Sequence, residues 1–162
     1  MNAYLKKICT LEEAGENCEA LKQSGKRIVF TNGCFDILHP GHARYLSSAR
    51  ELGDYLIVAL NSDSSVQTIK GSKRPIFPEK MRAELLAALE CVNCVVIFDE
   101  DNPLRVIKYL LPHILVKGGD WQEGQIIGAD VVKAGGGEVQ RIPFVKGYST
   151  SDIIKKIVQL YA

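Results

Sequence analysis

Residues 27–42 read RIVFTNGCFDILHPGH, and this stretch decides the fold. Its β-branched and aromatic opening, 27–31, predicts a buried strand. Asn32 and Gly33 follow as a turn at the carboxyl end of that strand, and His39, Pro40, Gly41 and His42 open a helix with proline at a favoured first-turn position. Working outward, four more aliphatic runs, at 55–60, 95–98, 114–117 and 138–142, alternate with amphipathic stretches near 40–52, 78–90, 103–110, 124–134 and 149–160. Strands alternating with helical stretches of this length predict repeated βαβ units and a parallel sheet. Right-handed crossovers then give a doubly wound sandwich of five strands.

The expectation is thus a single Rossmann-like α/β domain at 26–162, preceded by an N-terminal helical extension at 1–25. In that extension 11–23 reads as a helix ended by Ser24 and Gly25, packed on the outside or against a partner chain. The 162 residues suit one core, and neither a repeat nor a Pro/Gly/Ser-rich linker divides them. Apolar residues make up 46% and charged residues 24%, an ordinary globular composition. With a formal charge of +1, no overall field draws the chain to nucleic acid or membrane, so any anion site must be local.

The N-terminus lacks the apolar core of roughly 7 to 15 residues that marks a secretory signal. The longest apolar runs fall well short of the roughly 18 residues that span a bilayer. A cytoplasmic address is expected, and the five cysteines read as small apolar fillers for a reducing compartment. Cys91 and Cys94 form a C-x-x-C, but a structural zinc needs two more ligands at suitable spacing, and the pair reads better as the entrance to a strand. No protein-held metal is expected.

The carboxyl ends of parallel strands are where open α/β sheets bind ligands. Two imidazoles three residues apart at a helix start, His39 and His42, stand beside unpaired backbone N–H groups and the positive end of the helix dipole, and Gly41 permits close approach of a phosphate. Chance gives H-x-G-H in a chain of this composition on the order of half a per cent of the time. The competing reading makes the pair a partly buried helix cap. Ser149, Thr150 and Ser151 precede another amphipathic run, so their hydroxyls gather at a second helix start and form either a plain cap or a second phosphate cradle. Lys70, Lys73 and Arg74 lie in a turn-like stretch, either as solvated surface or as cations that neutralise phosphate charge. Lys117, Gly118, Gly119, Asp120 and Trp121 follow the fourth strand.

TNGCFDILHPGH resembles the H-x-G-H signature of the nucleotidyltransferase superfamily that contains cytidylyltransferases and sugar-phosphate adenylyltransferases. GSKRPIFPEKMRAELLAALECV, ILVKGGDW and GGGEVQRIPFVKGYSTSDIIKKI, in that order, resemble more narrowly the D-glycero-D-manno-heptose 1-phosphate adenylyltransferases. The resemblance covers 27–158 and leaves no room for a fused kinase, so it implies the stand-alone form. It implies catalytic roles for His39, His42, Lys73 and Thr150. Nucleotide contacts fall to Asn32, Gly33, Cys34, Phe35, His39, Gly41, His42, Lys117, Gly119, Asp120, Trp121, Tyr148, Ser149, Thr150 and Ser151. Substrate contacts fall to Asp36, Lys70, Lys73 and Arg74. Glycerol-phosphate cytidylyltransferases read RTEGIST where this chain has FVKGYST, so Phe144 stands at their arginine and leaves Arg141 or Lys146 to substitute.

The implied reaction joins ATP to a heptose 1-phosphate and releases pyrophosphate, with Mg2+ carried by the triphosphate and Asp36 positioning the metal or the acceptor. The expected partners are those two substrates and a second copy of the chain, with neither nucleic acid nor membrane. Two alternatives stay open: a cytidylyltransferase acting on glycerol 3-phosphate or another alcohol phosphate, and a nucleotide-binding protein without turnover.

Overall fold

The computed structural model of the protein describes residues 2–119, 123–143 and 145–161. Six parallel strands form one sheet: β1 (Ile8–Cys9), β2 (Ile28–Gly33), β3 (Tyr55–Asn61), β4 (Cys94–Phe98), β5 (Ile114–Gly118) and β6 (Glu138–Ile142), in the order β1-β4-β3-β2-β5-β6. Seven α-helices accompany them: α1 (Leu11–Gln23), α2 (Pro40–Arg50), α3 (Asp63–Lys70), α4 (Glu79–Ala88), α5 (Leu104–Leu110), α6 (Ala129–Ala134) and α7 (Thr150–Tyr161). The doubly wound parallel sheet is the one the sequence predicts.

Side chains alternate across the strands and build two cores. On one face Ile28, Phe30, Ile57, Ala59, Val96 and Leu115 meet α1, α5 and α6 through Ala14, Cys18, Ile107, Leu110 and Val132. On the other Val29, Leu56, Val58, Val95 and Val116 meet α2 and α4 through Leu46, Ala49, Ala83 and Leu86. Cys94 opens β4 and is buried in the first core, which suits its reading as a strand entrance. Among the described residues no group of three or more His, Cys, Asp or Glu is arranged to hold a metal, and no helix is long and apolar enough to cross a membrane.

Four elements differ from expectation. The sixth strand, β1, is only two residues long, too short to show alternation, and pairs with β4 at Ile8↔Val95 and Cys9↔Val96. The N-terminal segment therefore extends the sheet, and α1 joins a helical layer. Helix α3 occupies part of the stretch read as turn-like: Ser62 caps it by accepting from the Ser65 amide, and Lys70 is its last residue. Asn32 and Gly33 belong to β2, paired with Ala59 and Leu60 of β3, and the turn comes after them. The helix expected over 124–134 is divided into a 3-10 turn, Glu123–Gln125, and α6, because Gly128 sits at φ 85° and interrupts it.

Candidate active site

Strand β2 pairs with β3 over six residues and β5 with β6 over five, but β2 and β5 pair only at Val29↔Ile114 and Phe30↔Leu115. Beyond Leu115 the two strands part, at the point where strand order reverses, and a crevice opens between their carboxyl ends. Tyr45 of α2 seals its floor: its hydroxyl lies 2.7 Å from Thr31 Oγ1 and donates to the Val116 carbonyl at 3.3 Å. Higher up, Lys117 Nζ donates to Asn32 Oδ1 at 2.6 Å, so one lysine bridges the split. Burial lowers the pKa of this amine to about 8.

The loop from β2 to α2 carries two residues of left-handed backbone, Phe35 at φ 43° and Ile37 at φ 51°. Such conformations in non-glycine residues persist where surrounding contacts over-determine them, often at functional sites. Gly33 leaves room for the Phe35 ring, since a Cβ there would meet Phe35 Cε2 at 2.9 Å. His39 caps α2, its Nδ1 accepting from the His42 amide at 3.4 Å. That acceptor role assigns the proton to Nε2, which is left to donate away from the helix.

The His39 and His42 rings stack with centroids 3.7 Å apart, and Phe35 meets His42 edge-on at 5.3 Å. Burial lowers the pKa of both imidazoles; for His42, with His39 adding to burial against a weaker opposing pull from Asp36, it falls to about 4. Both rings are neutral at pH 7 and can act there as N–H donors rather than cations. His42 Nδ1 is buried without a hydrogen-bond partner. Space at Gly41 is tight: a Cβ would lie 3.0 Å from both the His39 ring and Tyr148 Cβ, so either neighbour would have to shift. Tyr148 lies parallel to His39 at 6.3 Å, and the Arg44 guanidinium sits 5.5 Å from the Tyr148 ring centre.

The start of α7 is brought to this loop. Thr150 Oγ1 donates to the Asp36 carbonyl at 2.7 Å, while Ser149 Oγ accepts from the Asp152 amide at 3.0 Å as an ordinary cap. Ser151 is exposed at the same helix start. Asp36 is buried, its side chain fully so, and its carboxylate accepts from Arg74 Nε at 2.7 Å and from the amides of Ile76 and Phe77 at 2.8 and 2.9 Å. Burial raises the pKa of this carboxyl, but the two amides and Arg74 outweigh it and hold it below its ordinary value. The expectation that Asp36 and Arg74 bind substrate thus meets a structure in which each holds the other. Lys70 and Lys73 are exposed, and among the described residues neither forms an ion pair.

Cys34 lies between these groups, its thiol pKa raised by burial against the pull of Lys70, Arg82 and Arg74. Gly119, at φ 86°, donates to the Ile142 carbonyl and ends β5 beside β6. Asp120, Trp121 and Phe144 lie outside the described residues.

Two residues of the site escaped the sequence reading. Arg82 is 1% exposed and donates to the carbonyls of Phe77, Cys34 and Asn61 and to Asp63 Oδ1, all within 2.6–2.8 Å. Its signal was a charged residue on the apolar face of 78–90. Tyr45 had none, since an aromatic three residues beyond His42 reads as core. A cavity of about 330 Å³, lined by Asn17, Ala20, Leu21 and Tyr55, lies by the amino end of β3, away from these residues, and contains no charged group.

Comparison with known proteins sets this arrangement among the nucleotidyltransferases. The chain belongs to the cytidylyltransferase-like family, whose sequence pattern matches residues 30–156. It is 53% identical over 155 residues to the bifunctional protein HldE of Geobacter metallireducens, covering 96% of this chain and 32% of that one. HldE of Citrifermentans bemidjiense is 58% identical over 137 residues, covering 85% and 28%. The chain thus spans about a third of the length of these relatives. Among solved structures, the lipopolysaccharide core biosynthesis protein of Thermoplasma volcanium superposes with a TM-score of 0.61 at 30% identity, covering 77% of this chain and all of that one. A pantoate-beta-alanine ligase from Francisella tularensis gives the same TM-score at 15% identity and shares the fold alone.

Proposed function

We propose that the protein transfers AMP from ATP to D-glycero-β-D-manno-heptose 1-phosphate, giving ADP-heptose and pyrophosphate. The carrying observation is the stacked His39–His42 pair at the sheet's crevice, with Lys117 across the split and the start of α7 drawn against the same loop. The choice of adenine and heptose rests on the KGGDW and GYST segments and on the HldE relatives.

An anionic phosphate oxygen of the sugar attacks the α-phosphorus in line, and the bond from that phosphorus to the bridging oxygen of the β-phosphate breaks. The nucleophile arrives already ionised, so no base is required, and positioning with charge stabilisation carries the rate. His39 Nε2–H and His42 donate to phosphate oxygens. Lys73 and the amino end of α7 meet the charge that grows on the departing pyrophosphate. Asn32, Gly33, Cys34, Phe35, Lys117 and Gly119 line the nucleotide, with Tyr148 closing over His39.

Mg2+ would enter with the triphosphate and neutralise its charge. Because the Asp36 carboxylate is fully buried and already holds three protein donors, the ion would be held by phosphate oxygens and water rather than by that side chain. We read the protein as one catalytic domain, 26–162, extended by 1–25, acting as a cytoplasmic homodimer. The five free thiols suit a reducing compartment, and the exposed Ile157, Val158 and Leu160 of α7 suit a partner surface.

The test is pyrophosphate release with Mg2+ from ATP, CTP, GTP and UTP, each offered β-heptose 1-phosphate or glycerol 3-phosphate. Release with ATP and the heptose alone is expected. Release only with CTP and glycerol phosphate would move the assignment to the cytidylyltransferase alternative, and no release with any pair would reject the catalytic reading for these acceptors.

A further inference from the structure

We propose that Asp36 is the positioning residue of this site, a clasp that fixes the basic loop and the amino end of α7 in one geometry so that Lys73 and the backbone donors of that helix end close on the same phosphates. The proposal rests on the nucleotidyl-transfer reading above and gives Asp36 a role within it.

Both carboxylate oxygens are taken: Oδ2 by Arg74 Nε and the Ile76 amide, Oδ1 by the Phe77 amide. The backbone carbonyl of the same residue takes the Thr150 hydroxyl. Four contacts from two segments far apart in sequence therefore end on one buried residue, three positions before His39. Arg82 secures the same assembly from beneath, donating to Phe77 O on the loop and Cys34 O at the end of β2.

The clasp grips only the base of the loop. Arg74, Ile76 and Phe77 are tied, whereas Lys70 and Lys73 project into solvent beyond it. With Lys73 next to the clasped Arg74 and Lys70 at the end of α3, the fixed base sets where these exposed cations can reach without binding them in advance. Phe35 and Ile37, the two left-handed residues, flank Asp36 on either side, and its four contacts supply the over-determination such backbone needs. A carboxylate that holds three protein donors and is fully buried could meet substrate or metal only by opening the loop.

The test is Asp36→Asn, which keeps the volume but replaces one accepting oxygen with an amide that must donate. The first readout needs no turnover: tryptic cleavage after Lys70 and Lys73 in the native protein. Loss of charged hydrogen bonds at the loop base should speed that cleavage about tenfold or more. The second is kinetic: kcat should fall about 10²-fold with KM for ATP within about twofold, as expected for lost transition-state stabilisation. Asp36→Asn combined with Arg74→Gln should lose no more than the worse single variant, because both break one clasp.

Unchanged cleavage at the two lysines would overturn the proposal. So would a rise in KM at constant kcat, the signature of a direct ligand, or multiplicative losses in the double variant. Should Asp36→Asn fail to fold, Arg74→Gln alone tests the clasp by the same cleavage. A wild-type protein inert with every substrate pair would reject the catalytic reading, while the cleavage result would still decide the role of Asp36.

Discussion

At the scale of single residues, the neutral imidazoles make two measurable demands. His42→Ala removes one donor to the developing charge and should lower kcat by about 10²-fold with circular dichroism unchanged, measured by pyrophosphate release. The folded pKa of His42, about 4, lies below the ordinary 6.5, so between those values the unfolded chain binds a proton that the fold refuses. Stability should therefore fall as pH drops through that window. His39 and His113 are shifted the same way, so thermal melts of His42→Gln from pH 7.5 to 4.5 should show a shallower decline than the wild type, not a flat one. Lys117 works at the other end of the scale. With its pKa near 8 it is mostly charged at neutral pH and loses that charge above pH 8, so KM for ATP should climb there, and Lys117→Arg should flatten the climb.

These residues were legible in different degrees. His39, Gly41 and His42 announced themselves because chemistry and a helix start coincide in four positions. Lys117 was found, but not its bond to Asn32, which depends on two strands parting and so on tertiary register. Asp36 was noticed as an acidic residue beside the histidines. That its charge is turned inward follows from Arg74, Ile76 and Phe77 folding back over some forty residues, which no local pattern encodes.

At the scale of elements, the strands were readable because both faces of a parallel sheet are buried and leave near-continuous aliphatic runs. Helix α3 was not, because DSSVQTIK looks like a polar loop, and its start depends on the Ser62 cap and on Glu79 accepting from the Asp63 amide. Arg82 joins α4 to the ends of β2 and β3. Arg82→Met would leave the buried Asn61 carbonyl and the part-buried carbonyls of Phe77 and Cys34 without their donor and should cost on the order of 3 kcal/mol, read as a lower urea midpoint at unchanged slope. Helix α7 differs from the other six α-helices in burying no residue, although Ile153, Ile154, Ile157 and Val158 form an apolar stripe along it.

At the scale of the whole molecule, that difference separates stability from catalysis. Ending the chain after Gly147 removes Thr150 and the start of α7 but nothing from either core. The shortened protein should melt within about 5 °C of the full chain and show no turnover, a pair of results that calorimetry and pyrophosphate release would establish together. The crevice is likewise a property of the whole sheet: it exists because β2 and β5 share only two paired positions before each follows its other neighbour.

The short edge strand sets an order of events in time. Ile8 and Cys9 leave the ribosome about 87 residues before Val95 and Val96, their partners in the sheet, and α1 behind them packs against β4 and α5. At about 5–20 residues per second, the opening segment waits roughly 5 to 20 seconds for its place in the sheet. Throughout that interval β2, α2 and β3 can already pair, while Ala14 and Cys18 remain uncovered. Residues 8–23 are thus made well before the strand they dock on, and their apolar face is the one a nascent-chain chaperone would meet.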